Sequence, residues 1–153
     1  MNAVAGCDIC KYQAVDNVGV LETDHWQVVL SPDQGYLGHS YVYLKDHKPS
    51  LSELTSDEWA DLHSVIKEFE PAVRDTFGAE LFNWVCLMND AFKAAQPQPH
   101  VHWKVRPRYR IPVTIAARTF TDPNFGHHYD KQHVVEVDRR TQEAIAAAIK
   151  EHL

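Results

Sequence analysis

Gln96-Pro-Gln-Pro-His-Val-His-Trp-Lys-Val-Arg106 carries the pattern from which both the fold and the chemistry of this chain are read. Side chains alternate across a strand, so a strand over His100–Val105 projects His100, His102, Lys104 and Arg106 from one face. Val101, Trp103 and Val105 then turn toward the core. Two imidazoles and two cations on one surface repel one another if all are charged. The arrangement calls for a partner that absorbs charge: a metal, a phosphate, or both. A bare His-x-His is also compatible with a basic strand face that is simply solvated.

Upstream of this stretch, Leu81–Met88 reads as a buried strand and Asn89–Pro99 as a loop, and Pro107 should close the histidine strand. Further out, dense β-branched and aromatic residues mark strands at Gly19–Glu22, Trp26–Leu30 and Ser40–Leu44. The turn Ser31-Pro-Asp-Gln-Gly35 separates the last two. Thr55-x-x-Glu58 is a capping box, and Trp59, Leu62, Val65, Ile66 and Phe69 follow at helical spacing. Pro71 should kink or split that helix, and Gly78 should end it. Beyond the histidines a strand is expected at Ile111–Ala116, a loop around Asp122-Pro-Asn-Phe-Gly126, a short strand at His133–Val137, and an alanine-rich helix over Thr141–Leu153. Strands packed on one face by two main helices give an α+β domain spanning residues 1–153.

At 153 residues the chain can bury a core without disulfide staples. Hydrophobic residues at 44% and charged residues at 24% argue against disorder. A net charge of -6 argues against an extended nucleic-acid partner or an anionic membrane surface and leaves room for a small anion at a local basic patch. No apolar run reaches membrane-spanning length and the N-terminus has no secretory pattern, so a soluble, cytoplasmic protein is expected. Of three cysteines, Cys86 reads as core. Cys7-x-x-Cys10 has a spacing suited to a metal or a redox pair.

The histidine stretch resembles the signature of the histidine-triad (HIT) family, His-x-His-x-His with a Gln four residues before the first His and an Asn about seven residues earlier. Asn89, Gln96, His100 and His102 match. Cys7-Asp-Ile-Cys10 is similar to the family's N-terminal cysteine pair, and Gly38-His39 through His47 to its Gly-His strand ending in a further His. The resemblance implies a HIT-like fold, an antiparallel sheet of about five strands with two main helices. It implies His102 as a nucleophile that takes up a nucleotidyl group, and Asn89 and Gln96 as substrate contacts. It also implies a structural Zn2+ held by Cys7, Cys10, His47 and His100, and a homodimer contacting through the helix near Ser56–Phe69.

Three positions depart from that pattern. Lys104 replaces the third His, so it is expected to serve as a phosphate cation, and it is a poorer proton donor near neutral pH. Pro97 replaces a phosphate-binding Ser or Thr. Ser31, with Asp33 close by, stands where relatives contact the ribose. The expectation is therefore hydrolysis of a phosphoanhydride or phosphoramidate bond in a nucleotide, either a dinucleoside polyphosphate or a nucleoside phosphoramidate. Transfer to phosphate or a sugar phosphate, and nucleotide binding without turnover, are the alternatives. Trp26 is a candidate base-stacking residue. Arg106, Arg108 and Arg110 form either a phosphate-facing row or a solvated edge.

Overall fold

The computed structural model describes residues 3–153. A short helix α1 (Asp8–Gln13) precedes a meander of β1 (Gly19–Glu22), β2 (Trp26–Leu30) and β3 (Ser40–Leu44). Next come the long helix α2 (Ser56–Phe77), then β4 (Leu81–Val85) and β5 (His102–Arg108). A small hairpin of β6 (Val113–Ile115) and β7 (Arg118–Phe120) and the helix α3 (Arg139–Lys150) complete the chain. The main sheet has five antiparallel strands in the order β1-β2-β3-β5-β4, so β5, which carries His102 and Lys104, sits inside the sheet, between β3 and β4. This is the α+β architecture expected, with α2 and α3 as its two main helices.

Alternation divides the sheet cleanly. Trp26, Val28, Val42, Leu44 and Val105 point to one face and are buried with Leu62, Val65, Phe69 and Val73 of α2 and Ile145 and Ile149 of α3. The opposite face carries the polar row of β5. The capping box opens α2 as written in the sequence, with Thr55 Oγ1 accepting from the Glu58 amide and Glu58 Oε2 from the Thr55 amide. Among the described residues no helix is long and apolar enough to cross a membrane.

Several expectations change. Pro71 does not split α2. It lies on the exposed side of the helix between the buried Phe69 and the pair Ala72 and Val73, and packing of that inner face keeps the helix continuous. Pro107 does not close β5, because β3 has already ended with Ser40 opposite Val105 and a residue lacking an N–H leaves no bond to that strand unmade. The strand expected at His133–Val137 is reduced to one bridge between Asp33 and Glu136. Trp26 is fully buried and donates its indole N–H to the Glu58 carbonyl at 2.8 Å, so it is a core residue and no base-stacking platform. Trp59, placed in the core by its helical spacing, is 42% exposed.

Candidate functional site

On the polar face, the register of β3 against β5 sets Tyr43 opposite His102 and Tyr41 opposite Lys104. Both tyrosines and both β5 residues line a cavity of about 480 Å³. Ile9 and Tyr12 of α1 also line it, as do residues of the segment from Met88 to Gln98. Tyr41 and Tyr43 are stacked with ring centroids 5.7 Å apart. The cavity therefore sets His102 and Lys104 beside a pair of stacked aromatic rings, with Lys104 Nζ 5.5 Å from the Tyr41 ring centroid.

His102 is 8% exposed. Its Nδ1 lies 2.8 Å from the His100 carbonyl oxygen. A carbonyl only accepts, so Nδ1 carries the proton and Nε2 presents a lone pair. Burial, followed by the charge of Lys104, lowers the His102 pKa below its ordinary value and keeps the ring neutral at pH 7. Lys104 is itself lowered, first by burial and then by Arg106, and Asp90 opposes the shift. These are the properties of an uncharged nitrogen nucleophile beside a cation.

Cys7, Cys10, His47 and His100 converge next to this row, with one ligand atom of each within 4.8 Å of all the others. β5 begins at His102, which frees His100 to turn onto the cysteines instead of continuing the strand face. Its Nε2 lies 2.8 Å from the Leu44 carbonyl, so Nε2 is the protonated nitrogen and the Nδ1 lone pair faces both sulfurs. That nitrogen is 3.5 Å from Cys7 Sγ and 3.4 Å from Cys10 Sγ, and His47 Nδ1 is 3.6 Å from Cys10 Sγ. A tetrahedral ion with bonds of ~2.3 Å to sulfur and ~2.1 Å to nitrogen sets sulfur–nitrogen separations of about 3.6 Å. One lone pair cannot accept from two thiols at once, whereas a shared cation satisfies all four groups. Burial by itself pushes the Cys7 thiol up and holds His100 down at about 4, and a divalent ion at the centre favours the thiolate and the neutral imidazole together. The cluster fits a metal ion.

Other residues singled out in the sequence are placed differently. Asn89 and Gln96 lie in the segment from Met88 to Gln98, but the residues there that face the cavity are Met88, Asp90, Ala91, Ala94 and Gln98. Ser31 and Asp33 are not brought to the cavity wall. Ser31 Oγ accepts from the Asp33 amide, and Asp33 Oδ1 accepts from the amides of Gly35 and Val135, docking the C-terminal segment. Gly35 is required there, since a Cβ would stand 2.2 Å from the His133 carbonyl oxygen. Tyr41 and Tyr43 were missed from the sequence; their alternation in β3 is visible, but its meaning depends on the β3–β5 register. The row Arg106, Arg108, Arg110 also breaks up. Arg108 is fully buried, paired to Asp122 through Nε at 2.6 Å and Nη2 at 3.0 Å, and Arg110 pairs with Glu80.

The sequence pattern of the HIT domain matches residues 13–111. A HIT family protein from Bacillus anthracis is 28% identical, with 69% of this chain and 74% of that one covered and a TM-score of 0.56. A zinc-bound histidine triad family protein from Mycobacterium smegmatis is 21% identical over 95% and 94% of the two chains, with a TM-score of 0.59. A uridylyltransferase shares the fold at 20% identity over 92% of this chain and 42% of its own, with a TM-score of 0.61. No curated protein matches the chain in sequence. The matched pattern covers most of the chain and contains His102 and its neighbours, and on that ground the chain belongs to the HIT domain family.

Proposed function

We propose that the chain hydrolyses a phosphoanhydride or phosphoramidate bond in a nucleotide through a covalent intermediate on His102. The observation that carries this reading is the lone pair of His102 Nε2, held by the Nδ1 bond to the His100 carbonyl beside Lys104 in a cavity lined by Tyr41 and Tyr43. A nucleobase packs against Ile9 and Tyr12, away from the Lys104 side, and brings its phosphate to His102. His102 Nε2 attacks phosphorus, a P–N bond forms, and the bond to the leaving group breaks. Lys104 stabilises the charge on the phosphoryl oxygens and protonates the leaving atom, a role helped by its lowered pKa. Water then attacks the same phosphorus, the P–N bond breaks, and a nucleoside monophosphate leaves with His102 restored. Asn89 and Gln96 are proposed substrate contacts. Ser31 and Asp33 would reach a ribose only by giving up bonds they make to the chain itself.

Zn2+ is the ion proposed for Cys7, Cys10, His47 and His100, a Cys2His2 donor set. When bound it ties thiolates to imidazoles and contributes structure. The chain is proposed to act as one domain in the cytoplasm, where its free thiols stay reduced. It would act as a homodimer, with the exposed Trp59 of α2 and the edge strand β4 as available contact surfaces. Light scattering that gives the 17.5 kDa mass of one chain at micromolar concentration refutes the dimer.

Rapid mixing with an adenylated substrate tests the reaction. A nucleotidyl-histidine should accumulate in the wild type, and His102→Ala should abolish both the intermediate and turnover. Residual turnover in that variant would mean direct attack by water. Transfer to inorganic phosphate or a sugar phosphate is the second reading, favoured by Lys104 where a better proton donor stands in the family pattern. Turnover that depends on added phosphate would select it.

A further inference from the structure

The β5 row treats its cations unequally. Arg108 is fully buried, and the chain supplies its counter-charge: two bonds to Asp122, with Asn83 and the carbonyls of Asn124 and His127 completing the set. Two and four residues earlier on the same face, Arg106 and Lys104 make no hydrogen bond or ion pair among the described residues. Both are partly buried, and Arg106 Nη1 is fully enclosed without a partner. Each touches only a ring face, Arg106 over Tyr129 at 4.3 Å and Lys104 over Tyr41 at 5.5 Å.

A ring face contributes about 0.5–2 kcal/mol to a cation. Withdrawing a cation from water costs several kcal/mol, so the rings do not account for the arrangement. Asp122 is committed to Arg108 and Asp33 to the amides of Gly35 and Val135, while Asp90, exposed and paired with Lys93, offsets the charge at Lys104 only in part. Lys131 adds a further positive field at Lys104. His39, buried beside this end of the row, donates from Nδ1 to the Asp33 carbonyl and contributes no negative charge.

We propose that Lys104 and Arg106 bind the leaving group, and that this group is a chain of phosphoryl groups in preference to a neutral amine. The inference rests on the nucleotidyl-transfer reading above and narrows its substrate class. Residues two apart on a strand stand roughly 6.7 Å apart, so the positive track extends roughly 13 Å from His102 to Arg106. An extended polyanion follows such a track, whereas an amine gains nothing from it and is repelled if protonated. Arg106, with its planar fork, reads the distal phosphoryl oxygens, and Lys104 acts at the bridging oxygen.

Two measurements test the proposal. The first titrates wild type with inorganic phosphate, pyrophosphate and tripolyphosphate by calorimetry at several salt concentrations. Tripolyphosphate should bind at least 10-fold tighter than phosphate and weaken as salt rises. Arg106→Ala should lower its affinity roughly 10- to 100-fold, the range expected for one charged hydrogen-bond partner, and Arg106→Lys should fall between. The second compares kcat/KM for an adenosine substrate with a polyphosphate leaving group against adenosine 5′-phosphoramidate. The ratio should favour the polyphosphate in wild type and drop roughly 10- to 100-fold in Arg106→Ala.

Equal affinity of wild type for phosphate and tripolyphosphate overturns the proposal without needing a variant. A ratio that Arg106→Ala leaves unchanged overturns it too, and hydrolysis through His102 then stands on its own. Tripolyphosphate binding that depends on Arg106, with none of the nucleotides turned over, supports the anion track and removes the catalytic reading instead.

Discussion

Removing Asp122 tests whether Arg108 is structural, as its burial indicates, or functional, as its place in the alternating arginines would have it. Asp122→Ala deletes both halves of a bidentate pair at 2.6 and 3.0 Å whose side chains are 0% and 1% exposed. It also leaves the amides of Tyr109 and Asn124 without their acceptor. Arg108 keeps two carbonyls and Asn83 but loses its only counter-charge among the described residues. Breaking a buried pair from one side costs about 3–5 kcal/mol. For a chain of this length each kcal/mol lowers Tm by about 2–4 °C, so the expected fall is about 6–20 °C. Urea and thermal unfolding should be run on wild type, Asp122→Ala, Arg108→Met and the double variant Arg108→Met/Asp122→Leu. The double variant should lose less than the sum of the singles, because it leaves neither charge buried alone. A loss under about 1 kcal/mol in Asp122→Ala, or a fall in turnover with Tm unchanged in Arg108→Met, would refute the structural assignment.

Three further outcomes follow from the site. Burial alone would raise the Asp33 pKa, but the His39 interaction and the amides of Gly35 and Val135 outweigh it and hold the group at about 2. The folded value lies below the unfolded one, so this stabilisation is complete above about pH 4 and fades as pH falls through 2. Asp33→Asn should therefore cost about 1–2 kcal/mol at pH 7 and progressively less as pH falls from about 4 through 2, as read from urea unfolding against pH. Protein purified without chelator should carry one zinc per chain, and Cys7→Ser should lose the metal together with several kcal/mol of stability. Near-zero zinc with unchanged unfolding sinks that assignment. Lys104→Ala should slow formation of the intermediate by a factor of order 10² or more, whereas Lys104→His should preserve or raise hydrolysis, both measured in single turnover.

Local signals with one physical cause were legible in the sequence. The Thr55–Glu58 box, the three meander strands and Gly78, which ends α2 with φ of 75°, depend on neighbours a few residues away. The grouping of Cys7, Cys10, His47 and His100 was expected from the resemblance to the HIT family, and the fold brings the four donors together. What escaped depends on tertiary context. The hairpin of β6 and β7 turns on Ala116 and Ala117, both at positive φ without any of the usual glycine or asparagine. α1, only six residues long, is nucleated by the Cys7 side chain accepting from the Cys10 amide, a bond hidden in what reads as a ligand pair. Arg106 and Arg108 have the same residue type and face, and only the fold of residues 121–129 decides that one receives a carboxylate and the other does not.

The metal quartet also orders events in time. Cys7 and Cys10 meet His100 across 93 and 90 residues of chain. At a synthesis rate of about 5–20 residues per second, the two thiols and His47 wait for His100, which is made roughly 5 to 20 s after the cysteines. Closing so long a loop carries a large entropic cost, which falls only once β3 and β5 have paired and drawn the ends together. The wall of the cleft formed by α1 is thus the last part of the site to be set in place. On the proposed zinc reading, a newly made chain passes through an interval with two unprotected thiols and an open cleft, and its yield of folded protein depends on the free zinc and the thiol-oxidising capacity of the compartment in which that interval is spent.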